Sequence, residues 1–404
     1  MTTTSPPSFS TRPDVAQIGA IAWVRKHLFS GWFNSLVTVV LGSLLIRSIV
    51  GFIGWATTTA QWKVIPENLP LYFVGQFPAD QYWRIWALLW MISALSGLTW
   101  GNLSQNVPHL FSRTVLIWVG ILAVIFVLAP TPLPYRLLLL ATLGLVLTGA
   151  WAGRYLSQSL PSFGLGLAIA WGLSFFIMLW LMAGGFGLKP VSTTAWGGLL
   201  LTLFMSVVSI VLCFPLGVAL ALGRQSTLPV VRLLSTVYIE VVRGVPLIAL
   251  LFIGAVMLPF FLPGNVRLDL VLRAIFGLTL FSAAYLAENV RGGLQSIPRG
   301  QAEASSALGL NTPLTLGLIV LPQALKVAIP SIVGQFISLV QDTTLVSIIG
   351  LSDLMRISRA VLANPLYIGR YAEVYLFIGV IFWVLCYAMS WGSRQLEARL
   401  RTTN

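Results

Sequence analysis

The stretch Gly300-Gln301-Ala302-Glu303-Ala304-Ser305-Ser306-Ala307-Leu308-Gly309, running on to Ile319-Val320-Leu321-Pro322, is a polar island between two apolar runs. The chain is 57% hydrophobic and only 9% charged, so a segment this polar belongs where water reaches it. Ala302 to Leu308 is rich in helix formers. Gly309 tolerates the left-handed backbone of a helix end. Pro313 suits the first turn of a second short helix starting near Thr312. Two short helices around a glycine stop make a compact knob at a membrane surface.

Working outward, the composition is that of a membrane protein. Mean hydropathy is +0.90 with 15 Trp, whereas soluble domains carry about 25% charged residues. The apolar runs approach or exceed the ~18–20 residues needed to cross a bilayer. They predict an all-α, polytopic fold with about ten transmembrane helices, near 33–56, 85–101, 114–131, 135–152, 163–184, 196–223, 244–263, 272–290, 326–350 and 372–392. Met1 to Arg25 is polar, without the apolar centre of a secretory signal. The net charge of +13 is not gathered into a compact basic run, so it points to the bilayer and not to nucleic acid. Cys213 and Cys386 fall in apolar spans and read as small core residues. His27 and His109 lie far apart, and no metal-ligand spacing occurs. No nucleophile–base set or phosphate-binding glycine loop appears, which predicts no catalytic residues.

With the N-terminus inside and alternating crossings, 14 of the 24 Lys and Arg fall on the cytoplasmic side and nine outside. This bias favours cytoplasmic N- and C-termini and puts the Glu303 segment in the cytoplasm. Four parts are expected: a cytoplasmic tail over 1–32, a membrane extension of about five spans over 33–190, a second membrane domain over 191–395, and a cytoplasmic tail over 396–404. Every motif lies in the third part.

Besides the Glu303 segment, that part holds Phe214-Pro215-Leu216-Gly217, Tyr238-Ile239-Glu240-Val241-Val242-Arg243-Gly244-Val245-Pro246, Ala287-Glu288-Asn289-Val290-Arg291-Gly292-Gly293 and Gln341-Asp342-Thr343-Thr344-Leu345. Over Trp196 to Glu397 the set resembles the permeases of binding-protein-dependent ABC importers, in their polar and general L-amino-acid uptake branch. The resemblance implies a type I importer core of five spans, preceded here by an N-terminal extension. It implies a multi-pass subunit of the bacterial inner membrane that pairs with itself or a related permease. A homodimer of ABC ATPases would supply ATP and magnesium, and a periplasmic amino-acid-binding protein would deliver substrate. The chain itself would hold no cofactor. Two positions depart from the pattern: Ser305 stands in the Glu-Ala-Ala triplet, and Gln341 stands where a Lys is usual.

The resemblance assigns ATPase coupling to Glu303, Ala304, Ala307, Gly309, Leu321 and Pro322. The alternative for Glu303 is a solvated surface acid. Arg243-Gly244-Val245 precedes Pro246, which removes a donor. Unwound backbone there would line a translocation cavity, or make an interfacial turn, with Glu240 and Arg243 paired along the helix. Ser331, Gln335, Ser338 and Asp342 recur at helical spacing on one face, which places Gln335, Ser338, Asp342 and Thr343 beside a pathway. Asp342 reads equally as the N-cap of a following helix. Thr202, Ser206, Ser209 and Cys213 form a small-residue packing stripe. Ser282 and Tyr285 lie on a third polar face that ends at Glu288, which reads as the partner of Arg291. Arg356 and Arg359 lie outside, against the positive-inside trend, and suit docking of the binding protein. The uncharged Gln335 face favours neutral polar or acidic amino acids over basic ones. An ion-coupled secondary amino-acid transporter, using Asp342 and Glu288, is the alternative function.

Overall fold

The structure, a computed structural model, describes residues 20–105, 109–261, 263 and 268–401. No strand occurs among them, only isolated bridges. Contacts divide the chain into residues 1–61 and 62–404.

In the first unit, α1 (Ala20–Leu28) lies within the expected N-terminal tail, and residues 1–19 of that tail lie outside the described residues. α2 (Trp32–Gly54) continues through a wide turn, Trp55–Thr59, into a 28-residue apolar span with none of its apolar window buried.

The second unit holds all the remaining helices. α3 (Val64–Glu67) and α4 (Leu69–Val74) are short, and α5 (Tyr82–Leu103), α6 (Arg113–Leu128), α7 (Leu133–Ser159) and α8 (Phe163–Ala183) are longer. α5 and α7 cross tightly because glycines recur four apart on each. A Cβ on Gly97 would stand 2.4 Å from the Val146 carbonyl oxygen, and one on Gly153 would stand 2.3 Å from that of Leu98. Small residues at this spacing let two membrane helices meet backbone to backbone.

α9 (Gly198–Arg224) and α13 (Leu270–Gln295) form the centre, flanked by α10 (Pro229–Gly244), α11 (Leu247–Phe252), α12 (Leu258–Phe261) and α16 (Leu321–Asp342). Ala221, Ile239, Leu286, Val290, Ala324 and Ile332 pack between α9, α10, α13 and α16. A second cluster joins Phe77, Leu88 and Met178 to Trp196, Leu201 and Leu278. The boundary expected at residue 190 therefore lies inside a shared apolar core. α17 (Leu354–Leu362) covers one end of α9, and α18 (Tyr371–Arg401) closes the chain.

The ten expected apolar stretches are helical over most of their described length, but ten crossings are not borne out. Among the described residues, seven helices are long and apolar enough to cross a membrane, or eight if the bent pair counts as one span. α6 has only 16 residues, and α5 is interrupted by Arg84, several Trp and small polar residues.

Prolines shape two spans. Before Pro322, the Leu321 amide donates five residues back to Leu316, which makes one wide turn. Pro322 has no N–H, and its ring would press on the carbonyl four residues earlier in a regular helix. The turn Ile253–Met257 precedes Pro259 in the same way. The Ala255 carbonyl, four residues before Pro259, accepts instead from the Arg273 guanidinium.

Candidate functional site

The segment expected to couple begins as α14 (Arg299–Ala307), a short helix joined to the end of α13 by residues 296–298. It ends in a closed stop. The Leu310 amide donates to Ser305 O at 3.1 Å and the Gly309 amide to Ser306 O at 3.0 Å, with Gly309 at φ +79°. This pair of hydrogen bonds around a left-handed residue satisfies orphan carbonyls of the helix end. Glu303, Ala304, Ala307 and Gly309 are exposed. Among the described residues the Glu303 carboxylate has no ion partner.

Ser305, which departs from the Glu-Ala-Ala pattern, does more than fill space. It is 1% exposed, and its hydroxyl lies 2.9 Å from that of Thr315. A plain Ala there would pack but could not make this tie. Thr315 belongs to α15 (Thr312–Thr315), whose N-cap Asn311 accepts from the Leu314 amide at 3.1 Å. The second helix of the knob is not separate, however. α15 runs through the wide turn at Leu316–Val320 into α16, giving one continuous span over Thr312–Ser347. Leu321 and Pro322 thus lie in the shaft of that span, not in the knob.

The break expected around Gly244 is present. α10 ends at Gly244, Val245 is extended at φ −102° and ψ 134°, and the chain restarts as a helix at Leu247, with the two arms bent by 104°. A residue before proline is driven out of helical conformation, so Pro246 decides where the bend falls. Gly244 is exposed and Val245 half-buried.

Charges beside the break differ from the expected pairing. Glu240 does not meet Arg243. It takes Arg224 Nη2 at 2.8 Å, while Arg224 Nη1 binds Glu288 at 2.6 Å. Arg243 lies 3.7 Å from the other Glu288 oxygen and 5.4 Å over the Tyr285 ring. The expected Glu288–Arg291 pair is formed at 2.8 Å. Since α10 stops one residue after Arg243, that side chain swings onto α13 instead of back along its own helix. Sequence reading missed Arg224 because a cation at the end of an apolar span also serves as a topology signal.

On α16, Gln335 and Asp342 are half-buried while Ser331 and Ser338 are exposed. Asp342 does not cap a following helix. The backbone passes from α16 directly into the tight turn Thr343–Ser347 in helical conformation, so no freed amide needs an acceptor. Among the described residues its carboxylate has no hydrogen-bond partner. Gln341, at the departed Lys position, donates to Cys386 Sγ at 3.6 Å. Thr343 and Ser282 are buried, at 0% and 1% exposed. Thr343 donates to Val340 O at 2.6 Å. The stripe Thr202, Ser206, Ser209 and Cys213 is wholly inside.

α17 is amphipathic. Leu354, Ile357, Val361 and Leu362 face inward, while Arg356 and Arg359 are exposed. Its N-cap, Asp353, is fully buried and accepts from the Met355 and Arg356 amides at 3.0 and 3.1 Å. Burial pushes the Asp353 carboxyl up to about 6, against the amide bonds and the Arg359 charge that pull it down.

Known proteins similar to this chain in sequence are transport permeases. Residues 213–402 match the family model described as the binding-protein-dependent transport system inner membrane component. The inner membrane amino-acid ABC transporter permease protein YhdY of Escherichia coli (strain K12) is 37% identical over 95% of this chain and 94% of its own length. The glutamate/glutamine/aspartate/asparagine transport system permease protein BztC of Rhodobacter capsulatus is 36% identical, over 96% and 95%. The probable glutamine ABC transporter permease protein GlnP of Bacillus subtilis (strain 168) is 35% identical over 50% of this chain but 92% of its own length. The chain belongs to the inner-membrane permeases of amino-acid ABC importers, multi-pass subunits that do not themselves hydrolyse ATP.

Proposed function

We propose that this permease imports neutral polar or acidic L-amino acids from periplasm to cytoplasm, with both termini cytoplasmic. In this reading it pairs with a second permease, itself or a relative. Each permease seats α14 in a groove of one subunit of an ATPase dimer that binds ATP and magnesium. A periplasmic binding protein delivers substrate to the outer face, where Arg356 and Arg359 meet it. The observation that carries the reading is α14: a short, exposed helix with a rigid stop, tied through Ser305 and Thr315 to the base of α16. A partner that tilts α14 moves the span bearing Gln335 and Asp342, which is helix-in-groove coupling without chemistry in this chain.

The substrate class rests on two supports. The α16 face offers an amide, hydroxyls and one unpaired carboxylate. The carboxylate would accept an ammonium, and no second fixed anion awaits a basic side chain. The relatives BztC and GlnP are named for glutamate, glutamine, aspartate and asparagine, and for glutamine.

Competition uptake in proteoliposomes holding the permease, ATPase and binding protein tests this. Glutamine, glutamate and asparagine should displace labelled substrate and lysine should not. Gln335→Ala should change the order of competitors by several-fold while ATPase association persists. Competition by lysine equal to that by glutamine, or an unchanged order in Gln335→Ala, would reject the assignment.

A further inference from the structure

Glu288 is the meeting point of three helices. It lies on α13, with its side chain 15% exposed, and is reached by Arg224 from α9, Arg243 from α10 and Arg291 from its own helix. Arg224 also holds Glu240, so three cations serve two carboxylates. The contacts are unequal. Arg224 and Arg291 make hydrogen bonds of 2.6 and 2.8 Å, whereas Arg243 stands off at 3.7 Å and rests on Tyr285.

The position of this cluster matters as much as its charge. Arg243 is the last residue but one of α10, immediately before the 104° bend. Glu288 is on α13, whose end at Gln295 is joined to α14 by the short linker 296–298. One carboxylate therefore connects the arm of the broken span to the element that leads into the coupling helix.

We infer that the Arg243–Glu288 contact is a releasable joint through which movement of the coupling helix repositions the broken span. This rests on the ATP-driven importer reading above. Breaking an ordinary buried ion pair strands a charge and is strongly unfavourable. Here Glu288 keeps Arg224 and Arg291 when Arg243 leaves. Arg243, the most exposed of the three arginines at 36%, can keep the Tyr285 ring or take water. A network with one cation in excess can thus alternate between two arrangements without an unpaired buried carboxylate, which a two-state element requires. Arg243 and Glu288 are positioning residues in this account. Arg224 and Arg291 hold the Glu288 carboxylate in place.

The test compares substrate moved per ATP hydrolysed in the complete reconstituted importer. Arg243→Gln should lower this ratio at least tenfold while the complex still assembles and hydrolyses ATP. Arg243→Lys, which keeps a cation, should recover much of the loss. If Arg243 were only a structural brace, uptake and hydrolysis would fall together with thermal stability and the ratio would hold, which overturns the inference. Should Arg243→Gln not assemble, Tyr285→Leu, which removes the ring that receives Arg243, is read in its place: a ratio lowered severalfold supports the joint, and a wild-type ratio overturns it. Wild-type vesicles with no ATP-dependent uptake would instead remove the importer reading on which the joint depends.

Discussion

Gly309 and Ser305 show what single residues contribute to the knob that α14 and α15 form. Gly309 sits at φ +79° with open space around it, so its role is conformational and was legible from the residue type alone. The Ser305–Thr315 tie was not legible, because it depends on two positions ten apart facing each other across that turn. Asp353 was hidden for another reason. An acid in a loop reads as solvated, yet α17 folds over it and removes it from water. Its carboxyl, raised to about 6, binds protons more tightly in the folded state than in the unfolded chain. Stability therefore falls as pH rises from about 4 to about 6 and is level above. Asp353→Asn removes the charge and keeps an acceptor oxygen for one of the Met355 and Arg356 amides. Thermal scans should show this variant more stable than wild type at pH 7, with the gap closing by about pH 4. Asp353→Ala, which loses the cap, should cost about 1 kcal/mol.

At the scale of the element, helices and breaks were readable while partners were not. Pro246 and Pro322 announce where a span must bend or widen, because a missing donor is a local property. Which cation meets which carboxylate depends on how α9, α10 and α13 cross, so the Glu240–Arg243 pairing expected from spacing gave way to Arg224 and Glu288. α17 presents a testable surface. Its apolar side is committed to the core, and Arg356 and Arg359 are left exposed. Reversing both charges to Glu should weaken binding-protein association about tenfold at low salt. The difference should shrink at high salt, since exposed charges are screened beyond about 10 Å at 0.1 M ionic strength. Equal affinities at every salt concentration would show that the face does not dock an acidic partner.

For the whole molecule, the membrane class and the family were legible because both rest on composition and on local motifs after Trp196. The organisation of the first half was not, because helix contacts far apart in sequence decide it. Phe77, Leu88 and Met178 share a core with Trp196, Leu201 and Leu278. A Cβ on Gly198 would lie 2.2 Å from the Tyr72 carbonyl oxygen, so the two halves touch backbone to backbone. A chain starting at residue 62 should therefore insert and assemble with its partners. One starting near 190 should lose stability in detergent, measured by size-exclusion chromatography and thermal scanning. Equal stability of the two would show that the shared core is dispensable.

The central claim is that α14 is the ATPase contact. Ala304→Cys, in a background with Cys213 and Cys386 replaced by Ser, places one thiol on the exposed face of α14. A short cysteine-to-amine crosslinker applied to the assembled complex should join this subunit to the ATPase, and nucleotide should change the yield. The same thiol moved to Arg356 should give no ATPase adduct. An intact complex that crosslinks from position 356 but not from position 304 would contradict the account.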